Sequence, residues 1–101
     1  MIPPRDHLMQ FTWRNKQGVR SESGVEVQVV DRYTIDYREP DLYLRLNAEI
    51  GFGGSGVGIV FSREEMQSHW AFRTLSAARQ RAVEQNLAAA FEFQAVDVEF
   101  T

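Results

Sequence analysis

The chain has 101 residues, 44% of them hydrophobic and 25% charged, and its formal net charge is −3. This is the composition of one globular domain spanning residues 1–101, and it argues against intrinsic disorder. The absence of cysteine excludes disulfide scaffolds, thiolate metal sites and thiol nucleophiles. No apolar run has the length of a signal peptide or a membrane span, so we expect a cytoplasmic protein that does not act at a membrane.

The first 20 residues show the weakest pattern. Pro3-Pro4 opposes a regular start, because proline removes a backbone donor and fixes φ. Leu8 to Arg14 is a candidate short strand, and residues 15–18 are typical of the turn after it. Phe11 and Trp13 are expected to pack and to pin this segment to a sheet.

Residues 25–61 alternate apolar and polar side chains with the period of half-buried strands. The apolar members of the first three runs are Val25, Val27 and Val29; Tyr33, Ile35 and Tyr37; and Leu42, Leu44, Leu46, Ala48 and Ile50. Turn-like residues at 31–32 and 38–41 separate these runs, which predicts antiparallel neighbours. A fourth strand is predicted over residues 57–61, after a glycine-rich connection.

The C-terminal third predicts helices and a last strand. Ser62 to Glu65 fits a capping box, so a short helix is expected to about His69. A longer helix is expected over about 76–91, with an apolar stripe formed by Val83, Leu87, Ala90 and Phe91, and Asn86 at its border. Residues 96–100 alternate again and predict the last strand.

These elements predict an α+β fold. We expect a mostly antiparallel sheet of about five strands, with one long C-terminal helix packed on one face and a short helix before it. The other face is predicted to be uncovered, polar and net acidic. Its expected members are Glu26, Asp36, Tyr43, Arg45, Asn47, Glu49, Asp97 and Glu99.

Gly51 to Gly56 matches the spacing G-x-G-x-x-G of dinucleotide-binding loops. That loop needs a helix after it to hold the pyrophosphate, whereas a strand is predicted here. A hairpin connection is therefore the favoured interpretation, and Gly58 inside the next strand predicts a bulge.

Neither histidine nor carboxylate spacing predicts a catalytic, cofactor or metal site. His7 and His69 lie far apart, without the close ligand spacing that zinc sites use. Glu39/Asp41 flank a proline in a turn, and Glu64/Glu65 suit the first turn of a helix. We expect a protein without enzymatic activity, cofactor or metal.

The exposed aromatic residues bear on binding. Tyr43 lies on the polar side of the longest predicted strand, and aromatic residues beside arginine are typical interface anchors. Trp70 lies between the helices, next to Arg73. The favoured interpretation is that the Trp70 ring closes one end of the core, with an interface role as the alternative.

Four segments carry a family resemblance. They are Tyr33–Glu39 (YTIDYRE), Leu44–Gly51 (LRLNAEIG), Gly58–Trp70 (GIVFSREEMQSHW) and Leu75–Phe100 (LSAARQRAVEQNLAAAFEFQAVDVEF). In their order, they resemble a group of small bacterial immunity proteins of polymorphic toxin systems, including contact-dependent growth inhibition. Residues 71–74 and the first 24 residues fall outside the likeness.

The resemblance implies a stoichiometric inhibitor that binds a cognate toxin domain, often a nuclease, in the cytoplasm. A basic protein partner would suit an acidic sheet face, whereas nucleic acid would need a concentrated basic surface. The candidate partner-binding residues are Asp36, Glu39, Asp41, Tyr43, Arg45, Glu49 and Trp70. The alternatives are a secretion chaperone or adaptor, and a small enzyme or ligand-binding domain. Either a monomer or a homodimer is compatible with the sequence.

Overall fold

The computed structural model describes residues 10–53 and 56–101. This part of the chain combines a five-stranded antiparallel sheet, a three-stranded sheet, a long C-terminal helix and two short helices before it. The α+β class and the antiparallel sheet with its long helix are thus confirmed. His7 and the predicted strand start at Leu8 lie outside the described residues.

The five strands of the larger sheet lie side by side in chain order, and each neighbouring pair is antiparallel. They are β1 Phe11–Asn15, β2 Gly18–Ser21, β3 Glu26–Asp31, β4 Thr34–Glu39 and β5 Leu42–Asn47. The sequence did not predict β2. Glycine at its start leaves room for the Gln28 side chain of the adjacent strand, whose Oε1 would lie 2.1 Å from a Cβ at Gly18.

The smaller sheet has the strand order β6-β7-β8, with β6 Glu49–Gly53, β7 Gly56–Phe61 and β8 Asp97–Phe100. β6 and β7 are antiparallel, so the glycine-rich run belongs to a hairpin, as predicted. β8 lies parallel to β7 because the helices intervene between them. The predicted bulge at Gly58 is wrong, since the register passes through this residue without a shift on either side.

A single stretch of chain passes from one sheet into the other. The strand predicted over Leu42 to Ile50 is divided at Ala48, which lies between β5 and β6. Ala48 is buried, and its N–H donates to the carbonyl of Tyr33 at 3.0 Å. The alternating pattern continues across this junction, so the sequence alone merges the two strands.

Three helices connect β7 to β8: α1 Arg63–Gln67, α2 Trp70–Arg73 and α3 Ala77–Phe93. Each of the two serines that precede α1 and α3 caps its helix. Ser62 Oγ accepts from the Glu65 amide and Ser76 Oγ accepts from the Arg79 amide, both at 3.2 Å. The predicted short and long helices are confirmed, whereas α2 was not predicted.

α3 packs on one face of the larger sheet. It buries the predicted stripe Val83, Leu87, Ala90 and Phe91 in a core shared with Val27, Ile35, Tyr37, Leu44 and Leu46. The helix contacts the sheet by polar bonds too: Asn86 Nδ2 donates to the Tyr37 hydroxyl at 2.8 Å. Burial raises the pKa of the Tyr37 phenol. No element of residues 10–53 and 56–101 packs on the opposite face of this sheet, as predicted.

The N-terminal strand is held by aromatic contacts with the end of α3. The rings of Phe11 and Trp13 lie 6.1 and 5.7 Å from the ring of Phe93. Phe11 is buried, whereas Trp13 is half exposed. The predicted packing of this segment is therefore confirmed for Phe11 and only partial for Trp13.

Candidate functional site

The side of the five-stranded sheet that faces away from α3, named here the open face, brings together three of the predicted binding residues, Asp36, Tyr43 and Arg45. Strand register places the same-side residues opposite one another across all five strands. Its members are Thr12, Arg14, Arg20, Glu26, Gln28, Thr34, Asp36, Arg38, Tyr43, Arg45 and Asn47.

Asp36 is the centre of the first polar cluster on the open face. Arg45 pairs with it across β4 and β5 and donates to it twice, from Nε to Oδ1 at 2.7 Å and from Nη2 to Oδ2 at 2.9 Å. The Tyr43 hydroxyl also donates to Oδ1, at 3.2 Å. The hydrogen bonds and charge of Arg45 lower the pKa of the Asp36 carboxyl, so this group is ionised at neutral pH.

Arg38 fixes the ring of Tyr43 from above. The two residues are opposite each other in the register, and the Arg38 guanidinium carbon lies 4.2 Å from the centre of the Tyr43 ring. This is cation–π distance. The ring is held at its hydroxyl by Asp36 and across its face by Arg38, yet 44% of Tyr43 is exposed.

Glu26 is the centre of a second cluster. Its two oxygens accept from Arg14 Nη1 at 3.1 Å and Arg20 Nε at 3.0 Å. A shallow groove of about 320 Å³ lies between the two clusters and is lined by Arg14, Glu26, Gln28, Asp36 and Arg38. Two of the arginines on the open face, Arg14 and Arg38, therefore border one depression.

The open face is not acidic, so the expected net acidic sheet face is wrong at this surface. Its members include four arginines and two carboxylates. The carboxylates are less exposed to solvent than the arginines that bind them. The Asp36 side chain is 11% exposed against 56% for Arg45, and the Glu26 side chain is 23% exposed against 52% for Arg20. The guanidinium groups are therefore the more solvent-exposed charges of the open face.

Two of the predicted binding residues, Glu39 and Asp41, lie off the open face. Glu39 occupies every second position of β4 together with Ile35 and Tyr37, so the three side chains point to the same side of the sheet. This is the side that faces α3. There Glu39 accepts from the Tyr37 hydroxyl and from Arg79 Nη2, the latter at 2.9 Å. Glu39 therefore stabilises the contact with α3 and does not belong to the open face, and its assignment to the partner-binding set stays a prediction. Asp41 is exposed in the turn between β4 and β5.

Glu49 lies on the outer side of the smaller sheet with Asp97 and Glu99. We call these three residues the acidic face. Register places Glu49 and Glu99 on either side of Val60. All three are exposed, and none forms an ion pair with another residue of the described ranges. The expected acidic charge thus exists, but it lies on a different sheet from Asp36 and Arg45.

Trp70 does not close the core. It is 70% exposed at the start of α2, whereas Phe72 two residues later is buried. Helical positions two apart point to nearly opposite sides, so burying Phe72 turns Trp70 outward. The favoured core interpretation of Trp70 is therefore wrong, and its ring lies on the surface away from the open face.

Sequence reasoning did not assign Arg14, Arg20 and Arg38 to the site, and it placed Glu26 on the face without its two arginines. Strand parity carried part of the missing signal, because Arg38 alternates with the buried residues of β4. Arg20 could not be placed without β2, whose four residues are too few for a clear alternation.

No three His, Cys, Asp or Glu side chains in residues 10–53 and 56–101 are grouped to hold a metal ion. Within the same ranges, no helix combines the length and the apolar character needed to cross a membrane.

Comparison with known proteins gave no family, relative or fold neighbour: no family model, curated protein or solved structure matches this chain.

Proposed function

We propose that this chain is an immunity-type protein that binds a cognate toxin domain on its open face and so neutralises it in the cytoplasm. The observation that carries the proposal is the cluster of Tyr43, Arg38 and Arg45 around Asp36. In keeping with the family resemblance, the toxin is a nuclease domain, and binding covers its active site or another surface that it needs.

The cluster has the composition of a binding hot spot. Tyrosine and arginine are enriched among residues whose removal costs an interface most of its affinity. Tyr43 and Arg45 are also held in place before any partner arrives, since both donate to the Asp36 carboxylate. Such ordering lowers the side-chain entropy that binding would otherwise cost, about 0.5–1.5 kcal/mol for each side chain.

The size of the open face sets how the partner must sit. The sheet has five strands, and its three longest strands have six residues each, so it spans roughly 20 Å in either direction. A stable interface takes about 800 Å² from each partner, so the toxin must also contact the rim. Asp41, exposed in the turn beside Tyr43, is the predicted binding residue best placed there.

The proposal is tested with the toxin domain encoded beside this gene. Wild-type chain should co-purify with the folded toxin in a one-to-one complex and protect cells that express the toxin. Tyr43→Ala should weaken binding by about 2 kcal/mol, roughly 30-fold, measured by isothermal titration calorimetry.

Tyr33→Ala is the matched control. Tyr33 is also exposed and also lies beside an arginine, since Arg32 is 5.7 Å from its ring, but it belongs to the β3–β4 turn. It should change the affinity by less than about twofold. Equal losses for the two variants would reject the open face as the binding site. A wild-type chain that binds only unfolded toxin would point to a chaperone instead.

A further inference from the structure

We infer that the partner surface that docks on the open face is acidic, and that it presents Asp and Glu carboxylates to the guanidinium groups of Arg14, Arg20, Arg38 and Arg45. The inference rests on the proposed function for the identity of the partner. It goes further by naming the chemistry of the surface that is bound.

The first observation is the balance of charge on the open face. Four guanidinium groups face two carboxylates, and both carboxylates lie deeper than the arginines paired with them. Arg38 forms no ion pair with any residue of the described ranges, and its charge lies over the Tyr43 ring. The Arg38 charge still attracts the Asp36 carboxylate, but the four arginines exceed the two carboxylates by two charges, so an approaching surface meets a net positive layer.

The second observation is the set of donors that remain free. A guanidinium has five N–H donors in a planar fork. Arg45 uses Nε and Nη2 on Asp36, and Arg20 uses Nε on Glu26. The Nη groups of Arg20 form no other hydrogen bond with the described residues, so they can receive a carboxylate from outside. Charge-assisted hydrogen bonds of this kind are stronger than neutral ones.

The balance of charge favours an acidic protein over nucleic acid. Tight phosphate binding needs many basic contacts, each of which releases counterions, whereas the open face has an excess of only two positive charges. With a net charge of −3, the rest of the molecule adds no attraction for the many phosphates of a nucleic acid. A compact patch of carboxylates on a protein fits the face without approaching the other sheet.

The test uses charge changes at Arg38, since its replacement breaks no ion pair. Arg38→Glu should weaken toxin binding at least about tenfold, and this loss of affinity should be larger at low salt than at high salt. The affinity of Arg38→Gln should lie between those of Arg38→Glu and wild type. Arg81→Glu is the control: Arg81 is exposed on α3, on the other side of the sheet, and should leave the affinity unchanged. Thermal unfolding of all three variants checks that they fold.

A second arm needs no toxin. Polyglutamate peptide and a single-stranded DNA oligonucleotide of matched charge are titrated separately into the labelled chain, and amide resonances are followed. Polyglutamate should shift the open-face amides, centred on residues 36–38 and 43–45, more strongly than the DNA. Stronger shifts with DNA would overturn the inference.

The two arms separate the inference from the function. Toxin binding that needs Tyr43 but ignores the charge at Arg38 would overturn the inference and leave the proposed function standing. A chain that never binds the toxin, yet binds polyglutamate through the open face, would end the proposed function and keep the acidic specificity.

Discussion

The outer surfaces of the two sheets both carry strand-borne carboxylates, but in different states. On the open face, Asp36 and Glu26 are each held by arginine, and Asp36 has a lowered pKa because Arg45 donates to it. On the acidic face, Glu49, Asp97 and Glu99 are exposed and form no ion pair within the described ranges. The same residue types therefore have a structural role on one sheet and a solvated role on the other.

This difference teaches that acidic charge along a strand does not predict an acidic surface. A carboxylate beneath an arginine orders that arginine and presents its positive charge outward. A carboxylate without a partner contributes its own negative charge to the surface. The chain thus has one face that suits an acidic partner and one that would repel it.

Asp36→Asn should give the largest loss of stability among the charge substitutions. The amide nitrogen would face the donors of Arg45 and could not accept from them, so at least one buried hydrogen bond is lost. We expect the free energy of unfolding to fall by about 1–3 kcal/mol, measured by urea denaturation at pH 7. A change below about 0.5 kcal/mol would show that the cluster does not stabilise the fold.

Lowering the pH should also show how much the Asp36 carboxylate contributes to stability. Because its pKa is lowered in the folded chain, Asp36 contributes stability above the ordinary value of 3.8, and this is lost as the pH falls through the folded-state pKa. Wild type should therefore lose more stability than Asp36→Asn between pH 5 and strongly acidic pH, with thermal unfolding as the measurement. Asp31, whose pKa is lowered by the Tyr33 amide, titrates in both proteins and cancels. Parallel curves would contradict this assignment.

Glu26→Gln should have an intermediate effect. Glu26 pairs with two arginines and its side chain is more exposed than that of Asp36, and exposed pairs are worth about 0.2–1 kcal/mol each. We expect a loss of about 1 kcal/mol that shrinks in high salt, measured by urea denaturation with and without added sodium chloride. A loss as large as that of Asp36→Asn would mean that the two clusters are energetically equivalent.

Substitution on the acidic face should have the smallest effect. Glu49 and Glu99 flank β7, so their strands lie about 10 Å apart, close to one Debye length at 0.1 M salt. Glu99→Gln should therefore change the free energy of unfolding by less than about 0.5 kcal/mol, with a slight gain at low salt. A clear loss would show that Glu99 has a stabilising partner and that the contrast between the two faces is wrong.

Alternation and capping were enough to predict most of the fold. Val27, Ile35 and Leu44 follow the period-two pattern and are buried, and Ser62 caps the helix that it was predicted to start. The alternating pattern did not predict the boundary between β5 and β6. Alternation continues through Ala48, so a change of sheet within one extended stretch left no mark in the sequence.

The candidate site was predicted only in part. Asp36, Tyr43 and Arg45 were placed on one face, and the register brings them into contact. The sign of the surface was wrong because acids were counted along segments, whereas charge depends on which side of the strand each residue occupies. Glu39 shows this, since its parity with Tyr37 already placed it toward the helix.

Ala48 has a consequence for how the molecule opens. The stretch 42–53 lends one strand to each sheet, and its midpoint is buried and bonded to Tyr33. Local unfolding of either sheet should therefore destabilise the other sheet. In amide hydrogen exchange, the two sheets should then behave as one cooperative unit and not as two independent ones. Binding of a partner to the open face should then also slow amide exchange in β6. The stabilisation would pass along the shared backbone to a strand that the partner does not contact.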